Sequence, residues 1–177
     1  QLTSAGNYAW HTFYGNATYT RDLALDSSSN LYLLGTGANE WLGPAGEAPT
    51  HPFAAHAAVI LKLNSAGAYQ WHGFFGGENM SMPEELTLAQ NGDIWVLMEA
   101  NVPWVAGGVA GPLNPFQGRR DNLVLRVSPQ GLYRHHTYLG SSELDYSAGL
   151  AVSPFGQILV GGSHYQSWNY LGHAPLQ

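Results

Sequence analysis

No cysteine occurs in the chain, so disulfide staples and thiolate metal sites are excluded and stability must come from packing. Charge is scarce: Asp, Glu, Lys and Arg make up 10% of the residues, against about 25% in an ordinary domain. Lys plus Arg number 6 against 12 Asp plus Glu. With no basic stripe, nucleic acid is not an expected partner. No apolar run approaches the roughly 18 residues that a membrane-spanning helix needs. No stretch holds a 3.6-residue apolar period between helix caps, so helix is expected to be almost absent.

Motifs of catalysis are missing as well. Neither G-x-S-x-G nor H-E-x-x-H occurs. Gly35-Thr36-Gly37 is followed by no helical pattern, which removes a dinucleotide site. Glu84, Glu85, Asp121 and Asp145 are the available acids, but their spacing establishes no carboxylate pair of the kind a glycosidase needs. The expectation is a non-enzymatic protein with neither metal nor cofactor.

Glycine and the aromatics take up the space left by charge: 22 Gly, 10 Tyr, 6 Trp and 6 Phe in 177 residues. That mixture suits tight turns and packed sheets. Its arrangement is periodic. "NYAWHTFYG" (7–15), "AYQWHGFFGG" (68–77) and "LYRHHTYLG" (132–140) are three versions of one phrase. Gly15, Gly76 and Gly140 close them, at intervals of 61 and 64 residues. "LALDSSSNLYLLGT" (23–36), "LTLAQNGDIWVLME" (86–99) and "LAVSPFGQILVGGS" (150–163) align without gaps, offset by 63 and 64. Trp41, Trp104 and Trp168 keep the same offsets. A unit of this length fits a four-stranded propeller blade with one long loop.

Each unit reads as antiparallel strands A to D: A at 21–26, 84–89 and 147–152; B at 30–36, 93–99 and 156–162; C at 57–64 and 122–128; D at 7–14, 68–75 and 132–139. "DSSSN", "QNGD" and "SPFGQ" are the A–B turns. The B strands are apolar on both faces, which demands a neighbouring sheet on each side. The predicted fold is therefore all-β: a single β-propeller segment over 1–177, with units at about 7–67, 68–131 and 132–177. It holds two complete blades, a leading D strand and a trailing A–B hairpin.

Several of these residues resemble the SBBP repeat, the seven-bladed β-propeller repeat of bacterial secreted and surface proteins. Asp121, Leu123, Val124, Arg126, Gly131, Tyr138, Leu139, Gly140, Asp145, Gly156 and Gly161 stand at matching places, as do Lys62, Gly67, Gly15, Asp26, Asn30, Tyr32 and Gly35 in the first copy. Ala57 and Met98 depart from the pattern, standing where it has Asp and Gly. The resemblance implies an extracellular or cell-surface scaffold or adhesion module and is nearly silent on ligand. It also implies more blades than this stretch contains. Either further repeats adjoin it, or copies self-associate through the open propeller edges into a ring or filament.

For a binding surface, the long B–C loops are the best candidates, because loops on a rigid scaffold carry function. They begin near Trp41, Trp104 and Trp168. If exposed, these rings can stack on sugar faces or meet a protein partner; if folded back, they plug the space between blades. His51 and His56 lie in the first loop and are better placed to bind than the histidines that repeat in strand D, which are spread around a ring and cannot share one metal. Gly15, Gly76, Gly140, Trp10 and Trp71 are read as structural marks of the repeat. Asn16-Ala17-Thr18 and Asn79-Met80-Ser81 match the glycosylation pattern.

Overall fold

A computed structural model describes residues 1–15, 18–54, 56–77, 80–106 and 111–174. The described residues form ten strands and no helix: β1 (Thr18–Leu25), β2 (Leu31–Gly37), β3 (Ala57–Leu63), β4 (Tyr69–Phe75), β5 (Met80–Leu88), β6 (Ile94–Ala100), β7 (Asp121–Val127), β8 (Tyr133–Leu139), β9 (Asp145–Val152) and β10 (Ile158–His164). They make two four-stranded antiparallel sheets, ordered β1-β2-β3-β4 and β5-β6-β7-β8, and a hairpin, β9-β10. No helix among the described residues is long and apolar enough to cross a membrane.

One turn design joins β1 to β2, β3 to β4, β5 to β6, β7 to β8 and β9 to β10. In the segments 26–30, 64–68, 89–93, 128–132 and 153–157, the first residue's carbonyl accepts from the fourth residue's N–H, and the fifth residue's carbonyl from the first residue's N–H. The fourth residue has positive φ each time. It is glycine at 67, 92, 131 and 156, and Ser29 in the remaining turn. In four of the five, the first side chain braces the turn: Asp26, Asn64, Ser128 and Ser153 each accept from the N–H groups two and four residues on. Short polar side chains followed by glycine produce this geometry without strain.

The sheets pack face to face, with β1 against β5 and β5 against β9. Between the two complete sheets lies one core, in which Tyr32, Leu34 and Ile60 of the first meet Val96, Leu123 and Tyr138 of the second. A second core holds Leu97 and Val124 against Leu150, with Ile158 and Val160 packed on it. Strand β7 is therefore buried on both faces, while the second face of β3 is buried with Phe74 beneath Trp41 and Phe53 of the first long loop.

A repeated joint locks the first strands together. A β-bulge interrupts each pairing, between Thr20 and Asp22 in β1 and between Pro83 and Glu85 in β5. The acid that follows the bulge reaches the next sheet. Asp22 Oδ2 accepts the Leu86 N–H at 2.8 Å, and Glu85 Oε2 accepts the Leu150 N–H at 2.6 Å. Bulges re-aim side chains in this way. Glu85→Ala leaves a partly buried N–H unpaired and is expected to lower stability by about 1–3 kcal/mol, whereas Glu85→Gln keeps an acceptor and loses less. Urea denaturation of both variants measures the difference.

Two expectations need correction. Residues 7–14 are not a strand: apart from an isolated bridge between Leu2 and Tyr8, they join no ladder. A D strand pairs with a C strand, as β4 does with β3, and no described C strand lies free beside 7–14. Strand β10 is also not buried on both faces; its positions are half-buried or exposed. It pairs with β9 alone, whereas β2 and β6 each have a partner on both sides.

Candidate functional site

The first two tryptophan loops close over their own sheets. In the first, Trp41 lies flat on His72, ring centres 3.6 Å apart and 11° from parallel. Its carbonyl meets His72 Nε2 at 3.0 Å, and Tyr69 Oη meets His72 Nδ1 at 2.7 Å. The second sheet repeats the chain of contacts: the Trp104 carbonyl to His136 Nε2 at 3.1 Å, and His136 Nδ1 to Tyr133 Oη at 2.9 Å. A carbonyl can only accept, so Nε2 carries the proton, and Nδ1 accepts from the tyrosine. Burial pushes His72 below the ordinary imidazole range and His136 down to about 4.

Trp104 is buried, with 6% of its surface exposed. It sits between the sheets, edge-on to Tyr133 and 5.8 Å from the His51 ring of the first loop. Its main-chain N–H donates to Tyr138 Oη at 2.7 Å. Neither Trp104 nor the half-buried Trp41, stacked on its own sheet, is displayed from its loop. Trp168 is half-exposed and lines a groove of about 510 Å³ with Asn122, Asp145, Val160, Tyr170 and His173. His51 is a loop anchor: Nδ1 meets the Phe74 carbonyl at 2.6 Å and the ring stacks on Phe75. His56 is exposed, with φ of 50°. The structure thus does not gather Trp41, Trp104, Trp168, His51 and His56 into one site.

The loops have a task that their sequence does not announce. Thr50 N–H donates to the His72 carbonyl, and Phe74 N–H to the His51 carbonyl. In the second sheet, Leu113 N–H donates to the His136 carbonyl, and Tyr138 N–H to the Asn114 carbonyl. The loop therefore runs back along β4 or β8 and occupies hydrogen-bonding groups on its outer edge. An uncovered edge strand is a template for aggregation, and here the covering is built into the repeat.

The repeat glycines and tryptophans meet one another. The Trp10 ring rests on Gly67 and the Trp71 ring on Gly131; a Cβ would lie 2.9 Å and 2.7 Å from them, respectively. Trp71 Nε1 also donates to the Pro129 carbonyl at 3.1 Å. Each outer tryptophan thus clips onto the turn of the following sheet. Gly15 and Gly76 have positive φ. Gly140 serves differently: a Cβ there would lie 2.5 Å from Asp121 Oδ1 and 2.9 Å from Asp145 Oδ2.

That glycine exposes a buried acid pair. Asp121 is wholly buried and Asp145 nearly so. One oxygen of each is satisfied by a turn amide, Asp121 Oδ2 by Gln117 N–H and Asp145 Oδ2 by Ser141 N–H, both at 2.7 Å. The other oxygen of each has no partner. Burial and the neighbouring Asp145 charge push the Asp121 carboxyl up to about 6, against the pull of the amides. Among the described residues no cluster of three or more His, Cys, Asp or Glu can hold a metal ion. Asn16 and Asn79 of the glycosylation patterns lie outside the described residues.

Compared with known proteins, the chain matches no family model, and no curated protein is significantly similar to it.

Proposed function

We propose that the chain is an arc of a β-propeller of the SBBP kind and serves as a non-enzymatic extracellular scaffold or adhesion module. The repetition of the joints carries this reading. Asp22 and Glu85 each bond to the next first strand, and Trp10 and Trp71 each clip onto the next outer turn. A unit that meets its successor the same way each time rotates by the same step each time, and such steps generate a ring where the rotation closes without a rise along the axis. Electron microscopy of the whole protein tests it. The expected image is a ring of radial sheets; a flat or linear stack overturns the propeller reading.

Trp168 and Tyr170 along the groove favour a second reading, carbohydrate binding, because aromatic rings offer flat apolar faces to sugar C–H groups. A glycan array probed with the chain and with Trp168→Ala decides. Binding that the variant loses, with the fold intact, establishes the carbohydrate module; the scaffold reading expects no glycan to bind. Turnover of any glycan overturns the non-enzymatic assignment.

A further inference from the structure

Among the described residues the buried acids are Asp93, Asp121 and Asp145. Asp93 has a counter-charge, since the Arg126 guanidinium donates to it through Nε at 2.9 Å. The other two have none: the ion pairs of the described residues are Arg126–Asp93 and Arg120–Glu99. Asp121 instead feels burial, the Gln117 and Gly118 amides and the charge of Asp145. Both carboxylates crowd one point, because a Cβ on Gly140 would lie 2.5 Å from Asp121 Oδ1 and 2.9 Å from Asp145 Oδ2. Oδ1 of Asp121 and Oδ1 of Asp145 are enclosed with no hydrogen-bond partner. Two like charges buried together without compensation are costly. The repeat does not require them. Strand β3 begins with Ala57 where β7 begins with Asp121, and β3 pairs with β2 along its whole length without the acid.

We infer that Asp121 and Asp145 together hold one calcium ion, which ties the start of β7 to the start of β9. Each carboxylate gives the ion its unpartnered oxygen, and main-chain carbonyls complete the shell, as is usual for calcium. The surrounding loops are already fixed around the pair. Gln117 N–H holds Asp121, Ser141 N–H and Oγ hold Asp145, and Gly118 packs against the Ser141 and Glu143 carbonyls. No histidine or cysteine joins the two acids in a metal-binding group, so the donors are hard oxygens, which suit calcium or magnesium rather than zinc. The set is irregular, because a turn amide already occupies one oxygen of each carboxylate. Calcium accepts irregular sets, whereas magnesium demands a near-ideal octahedron. The site lies between described strands and does not depend on closure of a ring.

Calcium chloride is the probe, titrated into the intact chain at pH 7.5, above the Asp121 value of about 6. Calorimetry is expected to show saturable binding in roughly the 10⁻⁴–10⁻³ M range of extracellular modules, or tighter. At about 5 mM, calcium is expected to raise the thermal midpoint by about 3 °C or more over the chain in chelator. Asp121→Asn and Asp145→Asn are expected to lose that rise, whereas Glu84→Gln, at an exposed acid, keeps it. In chelator the two charges repel, so Asp121→Asn is there the more stable protein, and calcium narrows the gap. Hydrogen exchange tests the natural chain without any variant: calcium is expected to slow exchange at the Gln117 and Ser141 amides, which hold the same carboxylates. Slowing confined to other segments, or binding that survives in both asparagine variants, overturns the inference. Absence of saturable binding overturns it too, and leaves a proton shared between the carboxyls as what balances the pair.

Discussion

Trp104→Ala is expected to cost about 3–5 kcal/mol of folding stability, the range for truncating a buried aromatic ring. Trp168→Ala, at the same place in the repeat, is expected to change stability by less than about 1 kcal/mol, as for other partly exposed positions. The contrast follows from what each ring touches. Trp104 fills the junction between two sheets beside Tyr133 and His136 and is 6% exposed. Its removal leaves a cavity that Tyr138, already bonded to the Trp104 N–H, cannot move to fill. Trp168 stands at the rim of an open groove, where solvent replaces the lost ring. Urea denaturation followed by circular dichroism measures both. Similar losses for the two variants would show that the third loop is packed as tightly as the second, and the groove would no longer be a surface.

Asp121→Asn is expected to stabilise the chain at pH 8 by up to about 3 kcal/mol and to leave it nearly unchanged at pH 4. The folded carboxyl titrates at about 6, raised from 3.8 by burial and by Asp145. A raised carboxyl binds its proton more tightly in the native state. Stability is therefore lost as pH climbs from 3.8 through 6, and the full penalty is present above 6. Asparagine keeps an oxygen for Gln117 N–H and brings an amide donor towards Asp145, much as the protonated acid does. His136 works with the opposite sign. Its folded value of about 4 lies below the ordinary 6.5 because of burial, so stability is present above 6.5 and is lost as pH falls towards 4. In the natural chain the two trends partly cancel. The asparagine variant uncovers the histidine, so its stability should drop more steeply between pH 7 and pH 4. Denaturation midpoints across that range are the measurement; parallel profiles for the two proteins would exclude a buried, titrating Asp121.

Much of this architecture is legible in the residues. The 63- and 64-residue offsets locate the strands, and Ser-, Asn- and Gly-rich segments locate the turns, because both depend on local chemistry. The doubly apolar B strands announce a neighbouring sheet on each side correctly for β6, whereas β2 has a described sheet on one side only. Three features depend on what lies opposite and are not written locally. Residues 7–14 carry the strand phrase, yet a ladder needs a partner, so propensity alone leaves them out of the sheet. The loop segments 50–51 and 113–114 cover the edges of β4 and β8 through main-chain groups, which any side chain permits; the matched offset of 63 was the available signal. Gly140 looks like a repeat mark shared with Gly15 and Gly76, but its surroundings are the carboxylates of Asp121 and Asp145, which begin β7 and β9 on either side of it in the chain. For the tryptophans, the tie lies in the carbonyls of Trp41 and Trp104, and the Tyr-x-x-His pattern of strand D was its trace in the sequence.

The covered outer rims also bear on how such a chain changes length. Since each complete unit brings the piece of loop that shields its own periphery, inserting or deleting one whole unit creates no new sticky flank. Stock can be added or removed only along the direction in which one sheet succeeds another. Duplication of a 63- or 64-residue module thus leaves every outer rim shielded, whereas a break within a module uncovers what its own loop was hiding.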